Sequence, residues 1–156
     1  MPDFNISPCF WFNGNAEEAV EFYLSVFCDS EIVSVTRYGE EAPLPAGTPM
    51  TIRFAIQGRN YMAINGGAHF QFSPAISMMA HCDSQEELDD LWNKLSDGGT
   101  TQSCGWLTDR FGVSWQIVPT VLDELMQLPE EKSSKVMTAL WGMGKLDIST
   151  LKAAAK

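Results

Sequence analysis

Polar and apolar positions along this chain form a pattern that occurs twice. Residues 7–12 are a short, aromatic-rich run of strand character. Asn13-Gly14-Asn15 breaks it, and Asn15 stands where a helix N-cap is expected. Glu17 and Glu18 follow in the first helical turn, where negative charge suits the helix dipole. Ala19, Phe22, Tyr23, Val26 and Phe27 then form an apolar stripe at helical spacing. Residues 31–38 return to alternation, with Ile32, Ser34, Thr36 and Tyr38 on one face. The stretch 39–49 carries Pro43, Pro45 and Pro49 and reads as loop. Strands follow over 51–57 and 60–65, joined by a tight turn at Gln57-Gly58-Arg59, and Gly66-Gly67 ends the unit.

The second occurrence starts after a linker over 68–74. Residues 75–82 read as a strand, and Asp83 or Ser84 caps the next helix. Leu88, Leu91, Trp92 and Leu95 face its core, and Asp97-Gly98-Gly99 stops it. Short strands over 100–104, 106–108 and 113–118 complete the unit, the last two joined by Asp109-Arg110-Phe111-Gly112. Glu17-Glu18 and Tyr23 are echoed by Glu86-Glu87 and Trp92 at a spacing of 69. The run from Gly58 to Ile64 is echoed from Gly112 to Val118 at a spacing of 54. These echoes predict an α+β fold of two βαβββ units, 6–67 and 75–119, in a single domain over 1–156. A helical tail over 120–156 lies outside the repeat, with helices expected at 121–127, 129–141 and from Asp147 or Ser149.

Composition narrows the choice of partners. The chain has 156 residues, enough for one well-buried core, and a net charge of −10. So acidic a chain has too few cations for a phosphate backbone or an anionic membrane, so neither is an expected partner. No apolar run approaches the roughly 20 residues of a membrane span, and the N-terminus carries no signal core; both point to the cytoplasm. Cys9, Cys28, Cys82 and Cys104 show no metal-finger spacing and read as reduced thiols. No GxGxxG, P-loop or GxSxG elbow is present, and no catalytic residue is assigned. Asn65-Gly66-Gly67 is either a strand-ending turn or a pair of backbone amides that can hold a carboxylate or carbonyl.

Several motifs together carry a family resemblance. These are the run 10–19 (FWFNGNAEEA), Asn65-Gly66-Gly67, Cys104-Gly105-Trp106, and the run 109–119 (DRFGVSWQIVP). The chain resembles the PhnB-like branch of the glyoxalase/bleomycin-resistance (vicinal-oxygen-chelate) superfamily, over about residues 6–151. Members of this branch are often labelled 3-demethylubiquinone-9 3-methyltransferase. The resemblance implies a pair of βαβββ units whose sheets curl around a cavity, commonly in a homodimer. It also implies four positions where the superfamily's enzymes hold a divalent metal. Two lie near the starts of the first strands, here Pro8 and Ser77, and two lie on the last strands, here Met62 and Gln116. The repeat spacings give the same pairing. Hard cations take carboxylate, imidazole or carbonyl oxygen. Proline offers no side-chain ligand and methionine a soft one, so no metal and no other cofactor is expected; a divalent metal is the alternative.

Strand parity then assigns a lining to that cavity. Phe10, Phe12, Asn60, Ile64, Met79, Ser114 and Val118 share a face with the four implied positions, and Cys9, Trp11, Tyr61, Ala63, Ile76, Met78, Trp115 and Ile117 take the other, suited to packing under the helices. The reading is a small-molecule-binding protein, with Phe10, Phe12, Met62 and Met79 supplying contact and Asn65, Ser77 and Gln116 orienting a polar end. The alternative is an enzyme of the same superfamily: a metal-dependent lyase, isomerase or dioxygenase, or the methyltransferase of the family label. No glycine-rich nucleotide turn supports the last of these.

Overall fold

A computed structural model of the chain describes residues 6–156. Among them the chain divides into two compact units, the first running up to Gln71 and the second from Phe72 to Lys156. The first holds β1 (Cys9–Phe12), α1 (Ala16–Val26), β2 (Ser30–Arg37), β3 (Pro49–Ile56) and β4 (Arg59–Asn65). Its sheet is open, in the order β1-β4-β3-β2, with β1 parallel to β4 and the other pairs antiparallel. Two residues, Gln57 and Gly58, turn β3 into β4, both at positive φ (48° and 74°). Such paired left-handed conformations match the twist of a tight hairpin, and glycine takes the second without strain. The apolar stripe of α1 (Ala19, Val20, Tyr23 and Val26) is buried beside Ile52, Phe54, Ile56 and Ala63 of the sheet.

The second unit repeats the arrangement. It holds β5 (Met78–Cys82), α2 (Gln85–Ser96), β6 (Thr100–Thr101), β7 (Trp106–Thr108) and β8 (Ser114–Pro119) in an open sheet ordered β5-β8-β7-β6. Leu88, Trp92 and Leu95 of α2 are buried with Cys82, Leu107, Trp115 and Ile117. Ser84 caps α2 by accepting from Glu87 N at 3.2 Å, and Glu87 Oε2 accepts from Asp83 N at 2.8 Å. The helix starts Ala16 and Gln85 keep the spacing of 69, and Tyr61 and Trp115 occupy matching places in β4 and β8.

The tail folds onto this second unit as α3 (Val121–Met126), α4 (Glu130–Trp141) and α5 (Ile148–Ala154). Gln85, the first residue of α2, clasps it from both ends of its amide. Nε2 donates to Leu146 O at 3.1 Å, and Oε1 accepts from Ile148 N at 2.8 Å. Lys145 Nζ lies 2.8 Å from Asp89, and Val136, Leu146 and Leu151 are fully buried. No helix among the described residues is long and apolar enough to cross a membrane.

Two local expectations are corrected. Asn15 sits at the N-cap of α1, but its side chain makes no capping bond; Asn65 from β4 takes that role. Strand β2 is bulged between Ile32 and Ser34, so Ile32 pairs with Phe54 and Ser34 with Arg53. Those two partners point to opposite faces of β3, so Ile32 and Ser34 do not share a face.

Candidate functional site

In each unit the helix covers one face of the sheet; the other, the open face, is free of that helix, although Ser114 and Val118 on it are buried in the second unit. The open face of the second unit carries four of the side chains that matter. Met79 lies opposite Gln116 in the β5–β8 ladder, and Trp106 lies opposite Gln116 in the β7–β8 ladder. Residues directly opposite in a ladder project to the same face, as do residues two apart on one strand. Ser77, Met79, Trp106 and Gln116 therefore stand together. Gln116 Nε2 donates to Ser77 Oγ at 2.9 Å. That bond fixes the carboxamide while leaving its oxygen without a partner among the described residues. Met79 is 47% exposed, a large apolar side chain beside a half-buried polar pair. The arrangement offers an acceptor, a hydroxyl and an apolar, aromatic contact surface.

The first unit departs from the expected parity. Cys9, not Phe10, lies opposite Met62, and Trp11 lies opposite Ile64. Cys9 and Trp11 thus share the open face with Met62, while Phe10 and Phe12 turn toward α1. Phe12 is 2% exposed. The Phe10 ring lies 6.3 Å from that of Tyr61 and 6.5 Å from that of Phe54, which itself stacks on Tyr23 of α1. The ligand contacts expected from Phe10 and Phe12 are therefore core contacts. The same register corrects the implied position on the first strand. Met62 matches Gln116, so Cys9 matches Met79, and Ser7 rather than Pro8 matches Ser77. Pro8 contributes its carbonyl to the ladder, accepting from Met62 N at 2.9 Å.

Asn65 is a buried fastener, 1% exposed. Its Oδ1 accepts from Ala16 N at the start of α1, and its Nδ2 donates to Pro49 O, both at 2.9 Å. Its carbonyl accepts from Tyr38 Oη at 2.6 Å. The glycines after it are also engaged. Gly66 N donates to Phe12 O, and Gly67 O accepts from Trp11 Nε1 at 2.9 Å. A Cβ on Gly66 would lie 2.1 Å from the Trp11 ring, so glycine is required for the indole to lie there. Of the two readings of this motif, the strand-ending turn matches these bonds.

Asp109 was not singled out by sequence, yet it organises the turn before β8. Its Oδ1 accepts from Phe111 N and Val113 N at 2.8 and 3.0 Å, and its Oδ2 accepts from Trp115 Nε1 at 2.8 Å. An aspartate two residues before a Phe-Gly turn carries the signature of a side chain that mimics a backbone turn.

A divalent metal is a poor fit to these faces. The four matching positions supply two hydroxyls (Ser7 and Ser77), a thioether (Met62) and a carboxamide (Gln116). Hard ions need stronger oxygen or imidazole donors to replace their water. Among the described residues no three of His, Cys, Asp and Glu stand together as a metal-holding group.

Comparison with known proteins places this architecture. The family model described as 3-demethylubiquinone-9 3-methyltransferase matches residues 4–118. The match stops before the tail, which the resemblance was expected to include. The PhnB protein from Bacillus cereus is 36% identical, covering 75% of this chain and all of its own, with a TM-score of 0.70. A Pseudomonas aeruginosa protein is 27% identical over 74% of this chain and 96% of its own, with a TM-score of 0.61. The fosfomycin resistance protein FosX from Listeria monocytogenes, in complex with Mn(II) and sulfate, is 11% identical. It covers 83% of this chain and all of its own, at a TM-score of 0.57, and shares the fold. No curated protein matches the sequence. Two βαβββ units, the motif turns and a 36% identical PhnB protein agree: the chain belongs to the PhnB-like 3-demethylubiquinone-9 3-methyltransferase family.

Proposed function

We propose that the protein binds a small molecule on its open sheet faces without a metal. The observation that carries this reading is the Gln116–Ser77 hydrogen bond of 2.9 Å beside exposed Met79. A fixed carboxamide with an unengaged oxygen next to apolar surface orients a ligand's polar end. It is a weak metal ligand, and its matching position in the first unit is methionine. The Mn(II) of FosX carries no weight here, because 11% identity conveys the fold alone.

The methyltransferase of the family label finds no donor site in these residues. Most methyltransferases that use S-adenosylmethionine hold it on a nucleotide-type α/β fold with a glycine-rich turn, and this α+β chain carries no such motif. The first amide of α1 already donates to Asn65, and the N-terminal turn of α2 is capped by Ser84. We also propose a cytoplasmic homodimer, because each sheet has two edge strands and apolar residues such as Trp141 are exposed.

Elemental analysis and a thermal-shift screen on untagged protein, purified without chelators, test the reading. The expected result is less than about 0.1 equivalent of transition metal, since exchangeable ions are lost from weak sites. Neutral aromatic compounds should raise the unfolding midpoint, and Gln116→Ala should reduce that shift. About one equivalent of metal, lost in Gln116→Ala, would restore the metal-dependent enzyme.

A further inference from the structure

The open face of the first unit carries a cation where the second carries an aromatic ring. Arg53 lies opposite Met62 in the β3–β4 ladder, as Trp106 lies opposite Gln116 in the β7–β8 ladder. Its strand neighbours Ile52 and Phe54 are buried under α1, so Arg53 projects to the open side, where it is exposed. Among the described residues its guanidinium has no ion-pair or hydrogen-bond partner. This holds in a chain with 20 acidic and 10 basic residues, and on a strand inside the sheet rather than at its edge.

The surroundings of Arg53 have a definite layout. One row across the sheet runs Ser34, Arg53, Met62, Cys9; the next runs Thr36, Thr51, Ile64, Trp11. Hydroxyls therefore flank the arginine on the β2 side, where Thr36 and Thr51 share a hydrogen bond of 2.6 Å. Apolar and aromatic groups lie on the β1 side. Trp11 meets Phe70 edge-on with ring centroids 5.0 Å apart, and Phe70 is 65% exposed. Arg53 and Trp11 are two strand spacings apart across the sheet and two residues apart along it, which is about 12 Å.

We propose that this face binds an anionic small molecule with an aromatic body, its carboxylate or similar group on Arg53 and its ring about 12 Å away against Trp11 and Phe70. A planar guanidinium recognises such groups with two parallel hydrogen bonds. The exposed Phe70 ring, set edge-on to half-buried Trp11, supplies an aromatic contact for a ring. The inference rests on the small-molecule-binding reading and names the ligand class.

The test is calorimetric titration of the full chain with biphenyl-4-carboxylate and with its neutral amide, biphenyl-4-carboxamide. The acid should bind more tightly than the amide. Arg53→Gln should weaken acid binding about tenfold or more, as for loss of one charge-assisted pair, and leave amide binding alone. Arg53→Lys should recover part of the loss. Phe70→Ala should weaken both compounds. The Arg53 variants should keep the wild-type unfolding midpoint, because the side chain is exposed and unpaired. Equal affinity for acid and amide, with Arg53→Gln unchanged, overturns the anionic class while small-molecule binding stands. Binding of neither compound overturns the inference too; the broader reading is then judged by the neutral-compound screen and its Gln116→Ala arm.

Discussion

Asp109 shows how one residue fixes a turn that carries a family motif. Its carboxylate is buried and accepts three N–H groups, two from the backbone of its own turn and one from the Trp115 indole. Truncation to alanine leaves those donors facing an apolar void, and each unmet buried donor costs roughly 1–3 kcal/mol. Asp109→Ala should therefore lower the unfolding free energy by about 3 kcal/mol or more. Urea titration checks this, and a loss below about 1 kcal/mol would mean the donors find other partners. Asp109→Asn should fall between the two proteins, since one acceptor oxygen survives while the new amide turns N–H against N–H. Cysteine reactivity is set by surroundings in the same way. Burial, with the Glu87 and Asp83 carboxylates, pushes the Cys82 thiol up to about 11. The thiolate is the reactive form. Iodoacetamide at neutral pH should modify exposed Cys28 in the folded protein and spare Cys82, as read by peptide mapping. Equal labelling of the two would contradict this burial.

Among the elements, α5 depends on a single capping carboxylate. Asp147 Oδ1 accepts from Thr150 N and from Ser149 Oγ, both at 2.6 Å. These hydrogen bonds, led by that from Ser149, hold Asp147 down from 3.8 to about 2. A lowered folded value means the carboxylate stabilises the fold above the unfolded value. That contribution fades as pH falls from about 4 toward about 2. Asp147→Ala should therefore melt lower than wild type at pH 7, and the gap should close as both are acidified toward pH 2. A gap that stays constant with pH would show that the cap acts through something other than its charge. Element starts were legible in the sequence because helix periodicity and capping residues are local. Ala16 and Gln85 begin the two helices at the spacing the echo predicts. Strand facing in the first unit was not legible, and the reason is one residue. Asn13, Gly14 and Asn15 connect β1 to α1, whereas only Asp83 and Ser84 connect β5 to α2. The helices echo at 69, but the first strands echo at 70, from Cys9 to Met79. A one-residue slip turns every side chain of a strand to the other face. It moved Phe10 and Phe12 under the helix and brought Cys9 and Trp11 out, while Ser77, Met79 and Gln116 share one face as the sequence parity assigns. Phe12→Ala should accordingly cost about 3–5 kcal/mol of stability, as for a buried aromatic. A loss of ligand affinity at unchanged stability would return Phe12 to the open face.

For the molecule as a whole, the repeat leaves pairing capacity that neither sheet uses within itself. The first unit ends its sheet in β1 and β2, and the second ends its sheet in β5 and β6. Strand β2 is the long one, eight residues with Ile32, Val33 and Val35 all exposed. Its bulge at Val33, with a second irregularity at Met50 of β3, twists the edge, a device that limits open-ended growth of a sheet. Ile6, Ile76 and Trp141 add exposed apolar surface elsewhere, and an acidic net charge of −10 opposes indiscriminate clustering. Open edges, bulged against fibres, together with scattered apolar side chains suit a closed pair of chains better than either a lone chain or a polymer. The expected outcome is a particle of twice the chain mass by light scattering at roughly tens of micromolar, a concentration at which a standard-size interface is filled. Mass action gives a second reading that does not depend on shape. Because folding and association are linked in such a pair, the unfolding midpoint should rise with protein concentration. A monomer mass together with a concentration-independent midpoint would assign those edges and side chains to solvent and remove the dimer. A dimer mass with an independent midpoint would place association outside the folding equilibrium and overturn the linkage alone.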